Sequence, residues 1–250
     1  MLLLAIDTSG KNGSLALVRA DNPTQAKIGL EWGTQEPTQP GFDVLELVGL
    51  EGRMYSAQLI PELQNALARQ NLKKSDLDAY AVASGPGSFT GLRVGLSTVK
   101  ALSEVLHKPI AAVSVLEAAA RMTCVNGHVT VAIDAGRKQV FVGDYEIGED
   151  FRVEQALESL VGYEEFFKAL NESRAKVFSP DQSVRDAAIA MDVAIGSIAS
   201  PQADMFARIG YQKIIAGETT PAEILEANYI RASDAELFSL PKLMPSRSND

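Results

Sequence analysis

The chain opens on an unbroken apolar run, Leu2 to Ile6, closed by Asp7, and this reads as a buried strand. Thr8-Ser9-Gly10-Lys11-Asn12-Gly13 follows as a tight turn, with residues 14–19 as a second strand. A third strand is read over 26–32 and a loop over 33–41. Over 54–70 the period changes: Leu59, Leu63, Ala66 and Leu67 recur at helical spacing, with Ile60 alongside. Pro61 sits awkwardly there, because it removes a backbone donor. Residues 78–84 read as a strand running into Gly85-Pro86-Gly87-Ser88-Phe89-Thr90-Gly91-Leu92-Arg93-Val94-Gly95. A helix of about 25 Å then spans 90–106, with Leu92, Leu96, Val99, Leu102 and Leu106 on one side. His107 and Lys108 suit a helix C-terminus, and Pro109 stops it.

The alternation then restarts. Strand 110–113 and helix 116–122 lead to a hairpin, 129–134 and 139–146, around Ala135-Gly136-Arg137-Lys138. Helix 163–171, strand 176–178, helix 184–191 and strand 193–196 follow. Ser200-Pro201 reads as the cap and first turn of a last helix reaching about residue 216. Asp7-Thr8-Ser9-Gly10 and Asp134-Ala135-Gly136-Arg137 hold corresponding places in the two halves. A duplicated α/β unit is therefore expected, with residues 1–109 and 110–232 as the two domains, the last segments of the second being free to pack back on the first, and 233–250 as a polar tail.

Composition narrows the function classes. Of 250 residues, 46% are hydrophobic and 22% charged, as in ordinary globular proteins. No apolar run approaches the ~20 residues of a bilayer span, and the opening run lacks the basic flank and length of a signal peptide. Cys124 is the only cysteine, which excludes an internal disulfide and fits a reducing, cytoplasmic compartment; its apolar neighbours favour a buried small side chain over a nucleophile. The two histidines, His107 and His128, stand in no metal-ligand spacing. The net charge of −9 opposes broad contact with phosphate backbones, so any RNA in this protein's pathway is held mainly by something else.

Two kinds of segment carry candidate chemistry. A strand ending at Gly85-Pro86-Gly87 and a helix entered through Ser88, Thr90 and Gly91 place backbone N–H groups where an anion can bind. The same residues equally describe a capped turn whose glycines permit close packing. Asp7-Thr8-Ser9 and Asp134 with Gly136 can cradle the phosphates of a nucleotide and its metal, or simply cap their own turns. No nucleophile and base stand together, so no catalytic residue and no metal site is assigned.

Leu4-Ala5-Ile6-Asp7-Thr8-Ser9, the eleven-residue glycine segment and Asp134-Ala135-Gly136-Arg137, at this spacing, resemble the bacterial TsaB family, also called YeaZ. Ser114-Val115-Leu116-Glu117-Ala118-Ala119-Ala120 and Asn228-Tyr229-Ile230-Arg231 are similar to further family segments. The resemblance implies an actin-like, Hsp70-like (ASKHA) α/β fold of two duplicated βββαβα-type domains. It implies a scaffold role in forming N6-threonylcarbamoyladenosine at position 37 of ANN-decoding tRNAs, with catalysis left to the partner TsaD and its His-x-x-x-His metal motif, which this sequence lacks. TsaD is the expected heterodimer partner, TsaE joins the pair, a homodimer forms in isolation, and tRNA is met indirectly. No cofactor is required, though weak ATP or ADP binding is compatible with the two Asp turns. The resemblance places the partner surface on the first two helices, with Leu59, Leu63, Leu67, Leu92, Leu96, Val99 and Leu102 as interface residues. The sequence departs from the family at Tyr55-Ser56-Ala57, where His-Ser-Glu is common, and in a long segment over 21–52. Two other classes compete: an active ATPase or small-molecule kinase of the same fold, and a metallo-glycopeptidase.

Overall fold

The computed structural model describes residues 1–21, 41–51, 54–148, 152–172 and 176–230. The strand expected over 26–32, most of the following loop and the tail from residue 233 lie outside the described residues. Strand β1 (Leu2–Asp7) pairs antiparallel with β2 (Gly13–Ala20), and β2 with β3 (Phe42–Leu50). On its other side β1 pairs in parallel with β4 (Ala79–Gly85), and β4 with β5 (Ile110–Ser114). The order is β3-β2-β1-β4-β5. A second sheet repeats it with β6 (Gly127–Gly136), β7 (Gln139–Ile147), β8 (Val153–Gly162), β9 (Val177–Ser179) and β10 (Gly196–Ser197), in the order β10-β9-β6-β7-β8. Three meander strands and two parallel ones thus occur twice.

Helices α1 (Tyr55–Arg69) and α2 (Phe89–Leu106) cover one face of the first sheet, where Leu4, Ile6, Leu15, Leu17, Tyr80 and Val82 point. The alternate residues Leu3, Ala5, Ala16, Ala81 and Ala83 meet α6 (Ala203–Ile215) on the opposite face. This is why β1 is buried along its whole length and shows no polar alternation. The alanines and Gly210, whose added β-carbon would overlap Ala81, let α6 lie close to the sheet. Helix α3 (Val115–Arg121) serves both sheets: Val115 and Ala118 join the first core, and Leu116, Ala119 and Ala120 join Val129, Val131 and Tyr145 of the second. The outer face of the second sheet is closed by α4 (Tyr163–Glu172) and α5 (Gln182–Ala190) through Phe166, Phe167, Val184 and Ala188. No helix among the described residues is long and apolar enough to cross a membrane.

Four local readings change. Residues 110–114 do not leave the first unit, because Ile110–Ser114 completes its sheet, whereas the return of α6 to that unit agrees with last segments that pack back on the first domain. Strands β3 and β8 replace what the sequence left without an element, and both are sheet edges. Helix α6 is capped by Gln202, not Ser200, and its first amide, that of Ala203, donates to Ser14 Oγ at 2.8 Å. Cys124 is exposed, in a left-handed conformation just past the end of α3, instead of buried. Pro61 is tolerated inside α1 because it and Ala57, four residues earlier, both face solvent, so water reaches the carbonyl left without a helical donor.

Candidate functional site

The glycine segment lies between two other pieces of chain. On one side is the turn after β1. The Ser88 amide donates to the Ser9 carbonyl at 2.7 Å, and Thr8 Oγ1 donates to the Gly91 carbonyl at 2.7 Å. A β-carbon on Gly87 would stand 2.5 Å from the Ser9 carbonyl, and one on Gly91 would overlap that of Thr8. The helix itself is started by Ser88, whose Oγ accepts from the Gly91 amide, while Thr90 is exposed. On the other side runs a strap, residues 219–230. Gly85 has φ +116°, and a β-carbon there would meet the Asn228 carbonyl at 2.9 Å; the Asn228 amide donates to the Ser84 carbonyl at 2.6 Å. The glycines therefore serve close backbone approach on both flanks.

Asp7 is buried, and its Oδ1 accepts from the Ser9 amide at 2.8 Å and the Ser9 hydroxyl at 2.6 Å. Burial pushes its carboxyl up to about 6, against the lowering effect of both Ser9 bonds. Of the two readings of Asp7-Thr8-Ser9, the self-capped turn describes these bonds. The second turn is more open. Asp134 accepts from the Gly136 amide at 2.8 Å, from Ser183 Oγ at 2.9 Å and from the Tyr163 hydroxyl at 3.3 Å. Its own amide donates to Asp181 Oδ2 at 2.7 Å. Burial holds the Asp181 carboxyl above its ordinary value, against the lowering effect of the hydrogen bond from the Asp134 amide. Among the described residues no three His, Cys, Asp or Glu side chains gather as metal ligands.

The expected interface residues are placed differently. Leu59, Leu63, Leu67, Leu92, Leu96 and Val99 are all buried against the first sheet, and Leu102 is half-buried at its margin. The sheet face is wide enough to take the leucine stripes of both helices. What faces outward is the flank of those stripes: Ile60, Ser97, Ala101, Leu102, Val105 and Leu106 line an open groove of about 430 Å³ with Lys74 at its edge. Ile60 is 45% and Val105 71% exposed. Toward the start of α2 the same face carries Phe89, with the Arg93 guanidinium 3.7 Å from its ring centre and the Tyr229 ring 5.1 Å away. The signal for this flank was available in Ile60 and Val105, which are large apolar residues off the leucine stripe.

Residues 50–209 match the profile of the family described as TsaD: tRNA N6-adenosine threonylcarbamoyltransferase. The chain is 32% identical over 147 residues to the tRNA threonylcarbamoyladenosine biosynthesis protein TsaB of Bacillus subtilis, covering 58% of this chain and 56% of that protein. It is 29% identical over 165 residues to a tRNA N6-adenosine threonylcarbamoyltransferase of Wolbachia pipientis, covering 64% and 47%. The chain thus spans about half the length of the curated relatives it matches. Among solved structures, YeaZ from Pseudomonas aeruginosa superposes with a TM-score of 0.65 at 22% identity, over 91% of this chain and 100% of that one. A second, an uncharacterized protein described as similar to the peptidase YeaZ from that organism, gives 0.68 at 23% identity, over 92% and 99%. The repeated sheet order and these superpositions are those of the two-domain, actin-like α/β fold. The chain belongs to the family of the tRNA N6-adenosine threonylcarbamoyltransferases and, within it, to the TsaB (YeaZ) proteins.

Proposed function

We propose that this chain is a non-catalytic subunit of a threonylcarbamoyl transferase, binding and activating a TsaD partner in the cytoplasm for the synthesis of N6-threonylcarbamoyladenosine on tRNA. The observation that carries the reading is the apolar groove on the outer flank of α1 and α2, uncovered in the monomer. Each large apolar side chain buried there by a partner contributes ~1.5–3 kcal/mol. A second copy of the chain competes for the same face, so homodimer and heterodimer exclude one another. TsaE joins through the pair, and the net charge of −9 fits a subunit that leaves tRNA to its partner. The reading asks for no cofactor on this chain; its Asp7 turn has α2 packed on it and its carboxylate engaged with Ser9.

The test is tRNA modification reconstituted from TsaC, TsaD and TsaE, with the chain present, absent or replaced by Val105→Glu. Omission should drop modification to background. Val105→Glu should keep its fold, as exposed substitutions do within about 0.5 kcal/mol, yet bind TsaD at least about tenfold more weakly. Leu96→Glu, only 5% exposed, should instead fail to fold. Full modification without the chain, or undiminished TsaD binding by Val105→Glu, would sink the proposal.

A further inference from the structure

The strap that closes over the glycine segment is fixed at its start and middle by the first unit. The Thr220 amide donates to the Ile110 carbonyl at 2.8 Å, Ala222 and Leu225 are buried in the first core, and Lys100 Nζ donates to the Leu225 carbonyl at 3.1 Å. Its far end is held differently. Asn228 Nδ2 donates to Glu158 Oε2 at 2.9 Å, and Glu158 stands on β8, the outer strand of the second sheet. The other oxygen of that carboxylate accepts from the buried Tyr145 hydroxyl at 2.6 Å and from Ser114 Oγ. Ser114 ends the first sheet and caps α3 by accepting from the Leu116 and Glu117 amides, so its one hydroxyl hydrogen is free to be given to Glu158. Ile230 then packs on the second core.

One carboxylate therefore gathers a residue of the first sheet, a residue of the second and the strap. All three groups donate to it, as an ionised carboxylate requires. We propose that Glu158 is a latch: from the second unit it holds the strap closed over Gly85, and so keeps Tyr229 seated on Phe89 and Arg93 at the outer end of α2. The shape of that end is then tied to the relative placement of the two sheets. A rotation of the second sheet away from Ser114 pulls Glu158 off Asn228, frees the Ser84–Asn228 backbone bond and releases Tyr229. This is a conformational coupling between a surface on the first unit and a residue of the second.

Hydrogen exchange on the full chain tests it, apart from any reading of α2 as a partner face. Glu158→Ala should speed exchange of the Asn228 amide about tenfold, the scale of a lost charge-assisted bond, and accelerate residues 226–230 with it. Amides of β1 and β4 should exchange at their wild-type rates. Glu158→Gln, whose carbonyl oxygen still accepts from Ser114 and Tyr145, should fall between the two. Asn228→Ala cuts only the strap arm and should loosen the strap without disturbing α3. Should Glu158→Ala fail to fold, Asn228→Ala carries the test alone. Wild-type exchange in the strap of either folded variant overturns the latch, as does a uniform acceleration that includes β1 and β4.

Discussion

Asp7 gives the sharpest quantitative test of the turn at the heart of the first unit. Asn in its place keeps an acceptor oxygen for the Ser9 amide and hydroxyl and removes a charge from a site 5% exposed to solvent. Burial raises the Asp7 carboxyl from 3.8 to about 6. An acid whose folded value lies above its unfolded one binds more protons when folded, so stability falls as pH rises from about 4 to about 6 and is level above that. At 1.36 kcal/mol per pH unit, that gap is worth about 3 kcal/mol. In a chain of this size 1 kcal/mol moves Tm by about 2–4 °C, so the advantage of Asp7→Asn over wild type should widen by about 6–12 °C between about pH 4 and pH 7. Scanning calorimetry on both proteins across that range measures it. Asp181 and Asp204, also pushed up by burial, titrate alike in both and cancel in the difference. The extra amide N–H groups of Asn add a constant offset with no pH dependence. A difference that is flat with pH, or that narrows, refutes a buried, charge-averse Asp7.

Two further predictions concern stability. Gly91→Ala should cost at least about 2 kcal/mol in urea titration, because its β-carbon meets the Thr8 backbone, whereas Gly49→Ala, with nothing within 4 Å, should be neutral or gain up to about 1 kcal/mol. Arg121 pairs with Glu117 at 2.7 Å, both under a tenth exposed, and Lys213 Nζ lies 3.3 Å from the same carboxylate. Arg121→Met should lower the denaturation free energy by about 3 kcal/mol, and Glu117→Leu in the same chain should recover most of it.

The elements most legible in the sequence are those in which one physical signal dominates. β1 is an apolar run because it is covered on both faces, and α1 and α2 show a leucine stripe because that stripe fills the face of a wide sheet. The same fact turns the predicted interface leucines inward: a stripe at helical spacing identifies the side that is buried, and the exposed flank that carries the proposed partner surface is marked by stray residues such as Ile60 and Val105. β3 and β8 escape for the opposite reason: each is a half-exposed edge strand with acidic residues such as Asp43, Glu46 and Glu158 among its apolar ones, so neither the apolar-run nor the helical rule applies. The strap has no periodicity, and its fit is visible only from Gly85, a residue more than a hundred positions away.

The duplication itself explains why the brace on one Asp turn leaves a mark in the sequence and the brace on the other does not. In both units the helix entered after the first parallel strand braces the Asp turn. In the first, α2 does it with backbone: Ser88 donates to the Ser9 carbonyl, and Gly87 and Gly91 are required because the chains touch. In the second, α5 does it with side chains: Asp181 accepts from the Asp134 amide and Ser183 donates to the Asp134 carboxylate. Backbone contact admits only glycine and so writes a conspicuous motif. Side-chain contact uses Asp and Ser, which are unremarkable in any turn. The conspicuous glycine segment is thus the backbone version of a brace that the second unit builds from side chains.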